Sequence, residues 1–94
     1  MDTTVSKENY LKAIAEAESD GETVIAATLV RWLKVTPAAV TMALRRLRRD
    51  GLVRVRKDGR LQLTVKGRDI ADRIRFRHHL IELQQTASET SRGI

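Results

Sequence analysis

The sequence of 94 residues contains no cysteine, one proline and three aromatic residues. Without cysteine the chain has no disulfide framework and no thiolate metal site. No apolar run approaches the ~18 residues of a membrane span, and the N-terminal stretch MDTTVSKEN lacks the apolar core of a signal peptide. These absences predict a single domain in the cytoplasm with no membrane partner.

Catalytic motifs are also missing. There is no glycine-rich phosphate loop, and no nucleophile has an adjacent base. The two histidines, His78 and His79, have no partner set that would make them catalytic. We therefore predict that the chain is not an enzyme.

Positive charge is concentrated in one short block of a chain whose net charge is +6. Residues 1–44 contain four basic and six acidic side chains, residues 45–60 contain eight and two, and residues 61–94 contain six and four. The block 45–60 alone therefore carries a charge equal to the whole excess. Such a patch indicates a polyanion, usually nucleic acid, although a charge run taken alone is more often a solvated face.

Two helices are predicted in the first third of the chain. Ser6 is a suitable N-cap for the first, which ends at Ser19-Asp20-Gly21. Apolar residues recur along it at helical spacing: Tyr10, Ala13, Ile14 and Ala17. The second covers about residues 26–33, and Ala26 stands where a capping side chain is usual, which predicts a weakly held start.

The stretch TPAAVTMALRRLRRDG, residues 36–51, has the signals of a complete helix. Thr36 is a good N-cap, and Pro37 occupies the first helical position, where its missing N–H has no cost. Gly51 is a helix-stopping residue. We predict a third helix over residues 37–49 with one buried stripe, formed by Val40, Ala43, Leu44 and Leu47.

The sequence pattern changes to a period of two after Gly51. Apolar and basic residues alternate over residues 52–63, and Lys57-Asp58-Gly59 is a turn signal, which predicts a two-stranded hairpin. Thr64 then caps a fourth helix, predicted over residues 65–85, in which Gly67 lowers the helix propensity. Residues 86–94 are polar and aperiodic, and are predicted to be a disordered tail.

The order of these elements predicts a mainly α winged helix-turn-helix domain over residues 1–85. It has three helices, a two-stranded wing and a long fourth helix, and the short turn Lys34-Val35 joins the second and third helices. The third helix is then the recognition helix, whose N-terminal half can approach base edges while its arginines reach phosphates. The predicted contacts with double-stranded DNA are Ala38, Ala39, Thr41, Met42, Arg45, Arg48, Arg49, Arg54, Arg56, Lys57 and Arg60. Arg46 is interpreted as a solvated surface charge.

Three sequence blocks, in order, carry a family resemblance. They are VSKENYLKAI, LVRWLKVTPAAVTMALRRLRRDGLVRV and LTVKGRDIADRIRFRHHLIE. Over roughly residues 5–83 the chain resembles the N-terminal domain of the DtxR/MntR family of iron- and manganese-dependent repressors. The resemblance implies a DNA-binding transcriptional repressor with recognition residues at Thr36, Ala38, Ala39, Thr41 and Met42. It also implies a non-glycine residue, Lys34, at positive φ in the turn.

The resemblance further implies a metal site and a dimer. The family's ancillary His and Glu match His78 and Glu82, which are candidate ligands for Mn²⁺ or Fe²⁺. At two positions where the manganese branch has carboxylates, this chain has Asn9, a weak ligand, and Lys12, which cannot ligate while protonated. The chain stops before the helices with which family members dimerise and complete their metal sites. We therefore expect a weak homodimer and a metal response that is weak or lost.

Two other interpretations stay open at this point. A winged helix can be a protein–protein interaction module that does not read DNA sequence, with Trp32 in the contact and the basic patch on an acidic partner. A basic wing is also compatible with structured RNA, although three percent aromatic residues provide few stacking platforms. Salt-dependent duplex binding separates DNA recognition from the first alternative, and competition by double-stranded RNA separates it from the second.

Overall fold

The computed structural model describes residues 5–77. The elements are α1 (Lys7–Ser19), α2 (Ala26–Leu33), α3 (Pro37–Arg49), β1 (Val53–Val55) and β2 (Leu61–Leu63), followed by a helix, α4, over residues 65–77. This order confirms the predicted winged helix-turn-helix. Residues 78–85 of the predicted fourth helix and the predicted tail 86–94 lie outside the described residues, so the domain boundary at residue 85 stays a prediction.

Helix α1 lies at the centre of the core, because it packs against α2, α3 and β2. Its start is held by the Ser6 hydroxyl, which accepts a hydrogen bond from the Asn9 N–H at 3.2 Å. All four residues of its predicted stripe are buried, but Leu11 and Ala15 are buried as well. The predicted stripe was therefore too narrow, since α1 has neighbours on several sides.

Helix α2 begins without a capping side chain, yet its first turn is held. The N-cap is Ile25, one residue before the predicted position, and its N–H donates to the Thr28 hydroxyl at 3.1 Å. Thr28 is 5% exposed, and its own hydroxyl donates to the carbonyl of Thr23 at 3.3 Å. The prediction of a weakly held start was wrong, because the buried Thr28 side chain hydrogen-bonds to the backbone of the residues that precede the helix, Thr23 and Ile25.

Helix α3 follows α2 after a tight turn that needs a left-handed residue. Lys34 adopts φ 54° and ψ 47°, as the resemblance implied. The Thr36 hydroxyl then caps α3 by accepting from the Ala39 N–H at 3.1 Å. The predicted stripe faces inward: Val40, Leu44 and Leu47 are buried, and Ala43 is half-buried.

The wing is an antiparallel hairpin that packs against both α1 and α3. Val53 pairs with Leu63, Arg54 with Gln62 and Val55 with Leu61. The connecting loop covers residues 56–60, two residues more than the predicted turn, and the Arg56 N–H donates to the Arg60 carbonyl across it at 2.8 Å. Gly59 occupies the left-handed position in this loop, with φ 89°.

The start of helix α4 is hydrogen-bonded to the backbone between α3 and the wing, at Gly51 and Leu52. The Thr64 hydroxyl donates to the Gly51 carbonyl at 2.7 Å and accepts from the Gly67 N–H at 3.1 Å, and the Thr64 N–H donates to the Leu52 carbonyl at 3.1 Å. A Cβ on Gly67 would lie 2.0 Å from the Leu52 carbonyl oxygen. Glycine is therefore required at position 67 by close packing of two backbones.

Candidate nucleic-acid interface

The exposed face of α3 is set by its buried stripe. Because Val40, Leu44 and Leu47 face the core, the residues between them on the helical wheel point outward. Met42 is 56% exposed although it is a large apolar side chain. Every residue predicted to contact DNA from this helix is exposed: Thr36, Ala38, Ala39, Thr41, Met42, Arg45, Arg48 and Arg49.

The N-terminal half of this face has small side chains and two hydroxyl groups. Ala38 and Ala39 add only methyl groups to the surface, and Met42 adds an apolar thioether. The Thr36 hydroxyl oxygen accepts from the Ala39 N–H, whereas the Thr41 hydroxyl donates to the Pro37 carbonyl at 3.0 Å. This half of α3 can therefore approach the floor of a groove closely, and its two hydroxyl groups are already partly engaged.

The C-terminal half of α3 and the wing form a basic surface on two elements that pack against each other. All four predicted wing contacts, Arg54, Arg56, Lys57 and Arg60, are exposed. Three of them share a shallow groove whose lining is Arg54, Val55, Arg56, Lys57 and Asp58. The sequence prediction that these cations are available to a partner is thus consistent with their placement.

Most cations of this surface have no acidic partner among residues 5–77. Within residues 5–77, no salt bridge involves Arg45, Arg48, Arg54, Arg56 or Lys57. Arg49 is 3.6 Å from a carboxylate oxygen of Asp50, and Arg60 is 3.3 Å from one of Asp58. Five cations on other elements do have partners: Lys7 pairs with Asp50, Lys12 with Glu16, Arg31 with Glu22, Arg68 with Glu18 and Arg73 with Asp69. Lys34, Lys66, Arg75 and Arg77 make no salt bridge with another described residue, but they do not lie on α3 or the wing.

Arg46 is the residue on α3 that the sequence interpretation set apart from the DNA contacts. It is exposed, and it too makes no salt bridge with another described residue. Arg46 shares exposure and the absence of a described salt bridge with Arg45 and Arg48. Arg46 joins the candidate contacts, and a residue-by-residue charge comparison could have included it.

Asp50 caps the C-terminal end of α3 and keeps its negative charge. A hydrogen bond from the Lys7 ammonium group, followed by the charges of Lys7 and Arg49, holds the pKa of Asp50 below its ordinary value, although partial desolvation opposes the shift. A carboxylate at a helix C-terminus is unfavourable to the helix dipole. Lys7 offsets that charge and connects α1 to the end of the recognition helix.

Trp32 does not offer a free aromatic contact. Its indole N–H donates to a carboxylate oxygen of Glu22 at 2.7 Å, and its side chain is half-buried against the core. The other carboxylate oxygen of Glu22 accepts from Arg31. The residue on which the protein-interaction alternative depended is therefore engaged inside the domain.

The described part of the chain does not fit a complete metal site. Among residues 5–77, no group of three or more His, Cys, Asp or Glu side chains could hold a metal ion. Lys12, at one position of the implied ligand set, lies 3.8 Å from Glu16 as an ion pair. His78 and Glu82 lie outside the described residues, and no step of DNA binding is assigned to a metal.

No helix within residues 5–77 has the length and apolar character of a membrane span.

The fold and this basic surface define a class of protein, the winged helix-turn-helix DNA-binding domains. Residues 2–61 match the family model described as iron dependent repressor, N-terminal DNA binding domain. The chain belongs to this family of repressors. The match confirms the resemblance drawn from the three sequence blocks, and a family of DNA-binding repressors is consistent with the prediction that the chain is not an enzyme.

Known relatives agree with the assignment. The chain is 38% identical over 82 residues to the iron-dependent repressor IdeR of Mycobacterium tuberculosis, a match covering 87% of this chain and 34% of the relative. It is also 38% identical over 82 residues to the diphtheria toxin repressor of Corynebacterium diphtheriae, covering 87% and 35%. The structure of the manganese regulator SloR superposes with a TM-score of 0.62 at 30% identity, over 70% of this chain and 31% of that one. The chain thus spans about a third of the length of these relatives.

Proposed function

We propose that this chain is the DNA-reading domain of a metal-responsive transcriptional repressor and that it binds duplex DNA through α3 and the wing. The N-terminal half of α3 enters the major groove, and the basic surface holds phosphates on either side. The observation that carries the proposal is the set of exposed cations on two adjoining elements that have no acidic partner in the described part of the chain.

Existing ion pairs indicate which cations can bind phosphate without first breaking a contact with a carboxylate. Arg45, Arg48, Arg54, Arg56 and Lys57 need not break an ion pair within the described domain before they meet a phosphate. Arg49 and Arg60 must exchange a carboxylate for a phosphate, and exposed pairs of this kind contribute only about 0–1 kcal/mol. Arg46 also makes no ion pair within residues 5–77, so the basic surface offers six to eight phosphate contacts.

The test compares arginines inside and outside this surface. Arg45→Ala and Arg54→Ala should each weaken binding to every duplex and make the slope of log K against log salt shallower by about 0.9. The matched control is Arg73→Ala, which removes the same charge from an exposed, already paired arginine on α4 and should leave the slope unchanged. If Arg73→Ala has the same effect as the other two, binding is a property of net charge and the assigned surface is wrong.

Two competitors separate the remaining interpretations. Double-stranded RNA has a deep, narrow major groove that α3 cannot enter, so it should compete much less well than duplex DNA of equal length. Equal competition would favour the RNA interpretation. Absence of duplex binding even at low salt would favour the protein-interaction module.

The metal response of this chain is proposed to be weak or lost. The named relatives include an iron-dependent repressor and a manganese regulator, which supports Fe²⁺ or Mn²⁺ as the ion of the family. His78 and Glu82, on the predicted part of the fourth helix, are the candidate ligands here, and two ligands make a weak site without a third. A titration of Mn²⁺ or Fe²⁺ by calorimetry should give no saturable heat at micromolar metal. Saturable binding that His78→Ala abolishes would contradict this.

The chain is also proposed to be a weak homodimer at most and to act in the cytoplasm, where it meets the chromosome. Sedimentation velocity at micromolar concentration should show a species that is mainly monomeric. A dimer whose population does not change across dilution would contradict the proposal.

A further inference from the structure

The two exposed threonines in the DNA-facing half of α3 have opposite hydrogen-bonding capacities. Thr36 uses an oxygen lone pair to accept from the Ala39 N–H at 3.1 Å, which leaves its hydroxyl proton available. Thr41 uses its hydroxyl proton to bind the Pro37 carbonyl at 3.0 Å, which leaves its oxygen lone pairs available. Thr36 can therefore donate to a ligand and keeps one lone pair, whereas Thr41 can only accept.

The direction of the Thr41 hydrogen bond follows from its partner. A backbone carbonyl can only accept, so the hydroxyl of Thr41 must donate to Pro37. Threonine in a helix commonly makes this bond to the carbonyl four residues earlier, and the side chain has few other rotamers. The acceptor character of Thr41 is thus a property of the folded helix, since Thr41 is helical and exposed.

Nucleic acid presents these two groups with different partners. Phosphate oxygens accept hydrogen bonds and carry no proton at neutral pH, so they match a donor such as Thr36. In the major groove, adenine N6 and cytosine N4 are donors, whereas guanine N7 and O6 and thymine O4 are acceptors. An acceptor on the recognition helix has no bond to make with a phosphate, and among the bases it matches an amino group.

We propose that Thr41 is a specificity-determining residue that accepts a hydrogen bond from the exocyclic amino group of an adenine or cytosine, while Thr36 donates to a phosphate. This inference rests on the proposed function and goes beyond it by separating base reading from backbone positioning. Ala38, Ala39 and Met42, the other exposed residues of this half, have side chains with no hydrogen-bond donor and no strong acceptor. Within this half, polar discrimination among bases therefore falls to Thr41.

The expected preference is modest and has a defined direction. At one position on the contacted strand, adenine and cytosine should both be preferred over guanine and thymine. One neutral hydrogen bond corresponds to a preference of about 3- to 10-fold. Every base pair presents one exocyclic amino group and one carbonyl oxygen in the major groove, so base analogues must establish which group is contacted. Replacing the selected adenine by purine, which lacks the amino group, should remove the preference.

The test uses the whole chain, a pool of randomised duplexes and two matched variants. Thr41→Val has the same shape without the hydroxyl, and Thr41→Ser keeps the hydroxyl and its bond to Pro37 but lacks the methyl group. Wild type and Thr41→Ser should select adenine or cytosine at one position, and Thr41→Val should lose that selection. All three should have the same salt slope on a generic duplex, because no phosphate contact is removed. Thermal melts establish that each variant is folded.

Three results would overturn the inference while leaving duplex binding intact. They are a preference retained by Thr41→Val, a shallower salt slope in Thr41→Val, and a wild-type preference that persists when the selected adenine is replaced by purine, which lacks the amino group. Failure of the wild type to bind any duplex at low salt would instead refute the proposed function, and the inference with it.

Discussion

Gly67 allows the first turn of α4 to lie against the backbone at the base of the wing. A Cβ added there would lie 2.0 Å from the carbonyl oxygen of Leu52 and 3.0 Å from its carbonyl carbon. Both are backbone atoms, so no side chain can rotate away. In Gly67→Ala the helix must move by about 1 Å merely to reach a tight contact, and that movement opposes the hydrogen bonds from Thr64 to Gly51 and Leu52.

The free energy of unfolding should fall by about 3 kcal/mol. Overpacking of this kind costs about 1–3 kcal/mol. Two weakened hydrogen bonds cost about 0.5–1.5 kcal/mol each. Alanine regains about 1 kcal/mol of helix propensity relative to glycine. For a domain whose whole stability is of the order of 5–10 kcal/mol, such a loss lowers the melting temperature by about 10–20 °C.

Thermal and urea unfolding, followed by circular dichroism, measure this difference directly. Lys66→Ala is the matched control, because it alters the neighbouring exposed position of the same helix turn and should change stability by less than about 0.5 kcal/mol. If Gly67→Ala is as stable as the wild type, or more stable as propensity alone would predict, the close approach of α4 to the wing is wrong.

Two further changes probe the helix ends. Lys34→Gly should raise stability by about 0.5–1 kcal/mol in a thermal melt, because glycine adopts φ 54° without the clash of a Cβ; a lower melting temperature would contradict this. Asp50 has a lowered pKa in the fold, so it stabilises the domain above its ordinary pKa of 3.8 and loses that contribution as the pH falls through the lowered value. Asp50→Asn should therefore show a smaller decrease of melting temperature between pH 5 and pH 2 than the wild type, and an unchanged decrease would show that the Lys7 contact has no such role.

The recognition helix could be predicted from sequence because its signals are local. Thr36, Pro37 and Gly51 mark its ends, and the spacing of its apolar residues determines which side faces the core. The residues that do not belong to this buried stripe form the exposed face, and the predicted DNA contacts are taken from that face. The positive φ of Lys34, by contrast, was implied by the family resemblance rather than by a local signal, and the structure has it at φ 54°.

What the sequence could not predict depends on contacts between distant residues. Gly67 lowers helix propensity when it is considered alone. The need for glycine there is apparent only from the close approach of its backbone to the carbonyl group of Leu52. Thr28 has no local mark that separates it from other threonines, yet its burial lets it hold the start of α2. The ion pairs Lys7–Asp50 and Arg68–Glu18 likewise join residues that are far apart in the sequence.

Fluorescence anisotropy of a labelled generic duplex, titrated with salt in the presence and absence of Mn²⁺ or Fe²⁺, tests the central claim most directly. Six phosphate contacts predict a slope of log K against log salt of about −5.4, and eight predict about −7.2, with no change on adding metal. A slope near zero, or no binding at low salt, would contradict DNA recognition by the basic surface of α3 and the wing. A clear gain in affinity with metal would contradict the inference that this chain's metal response is weak or lost.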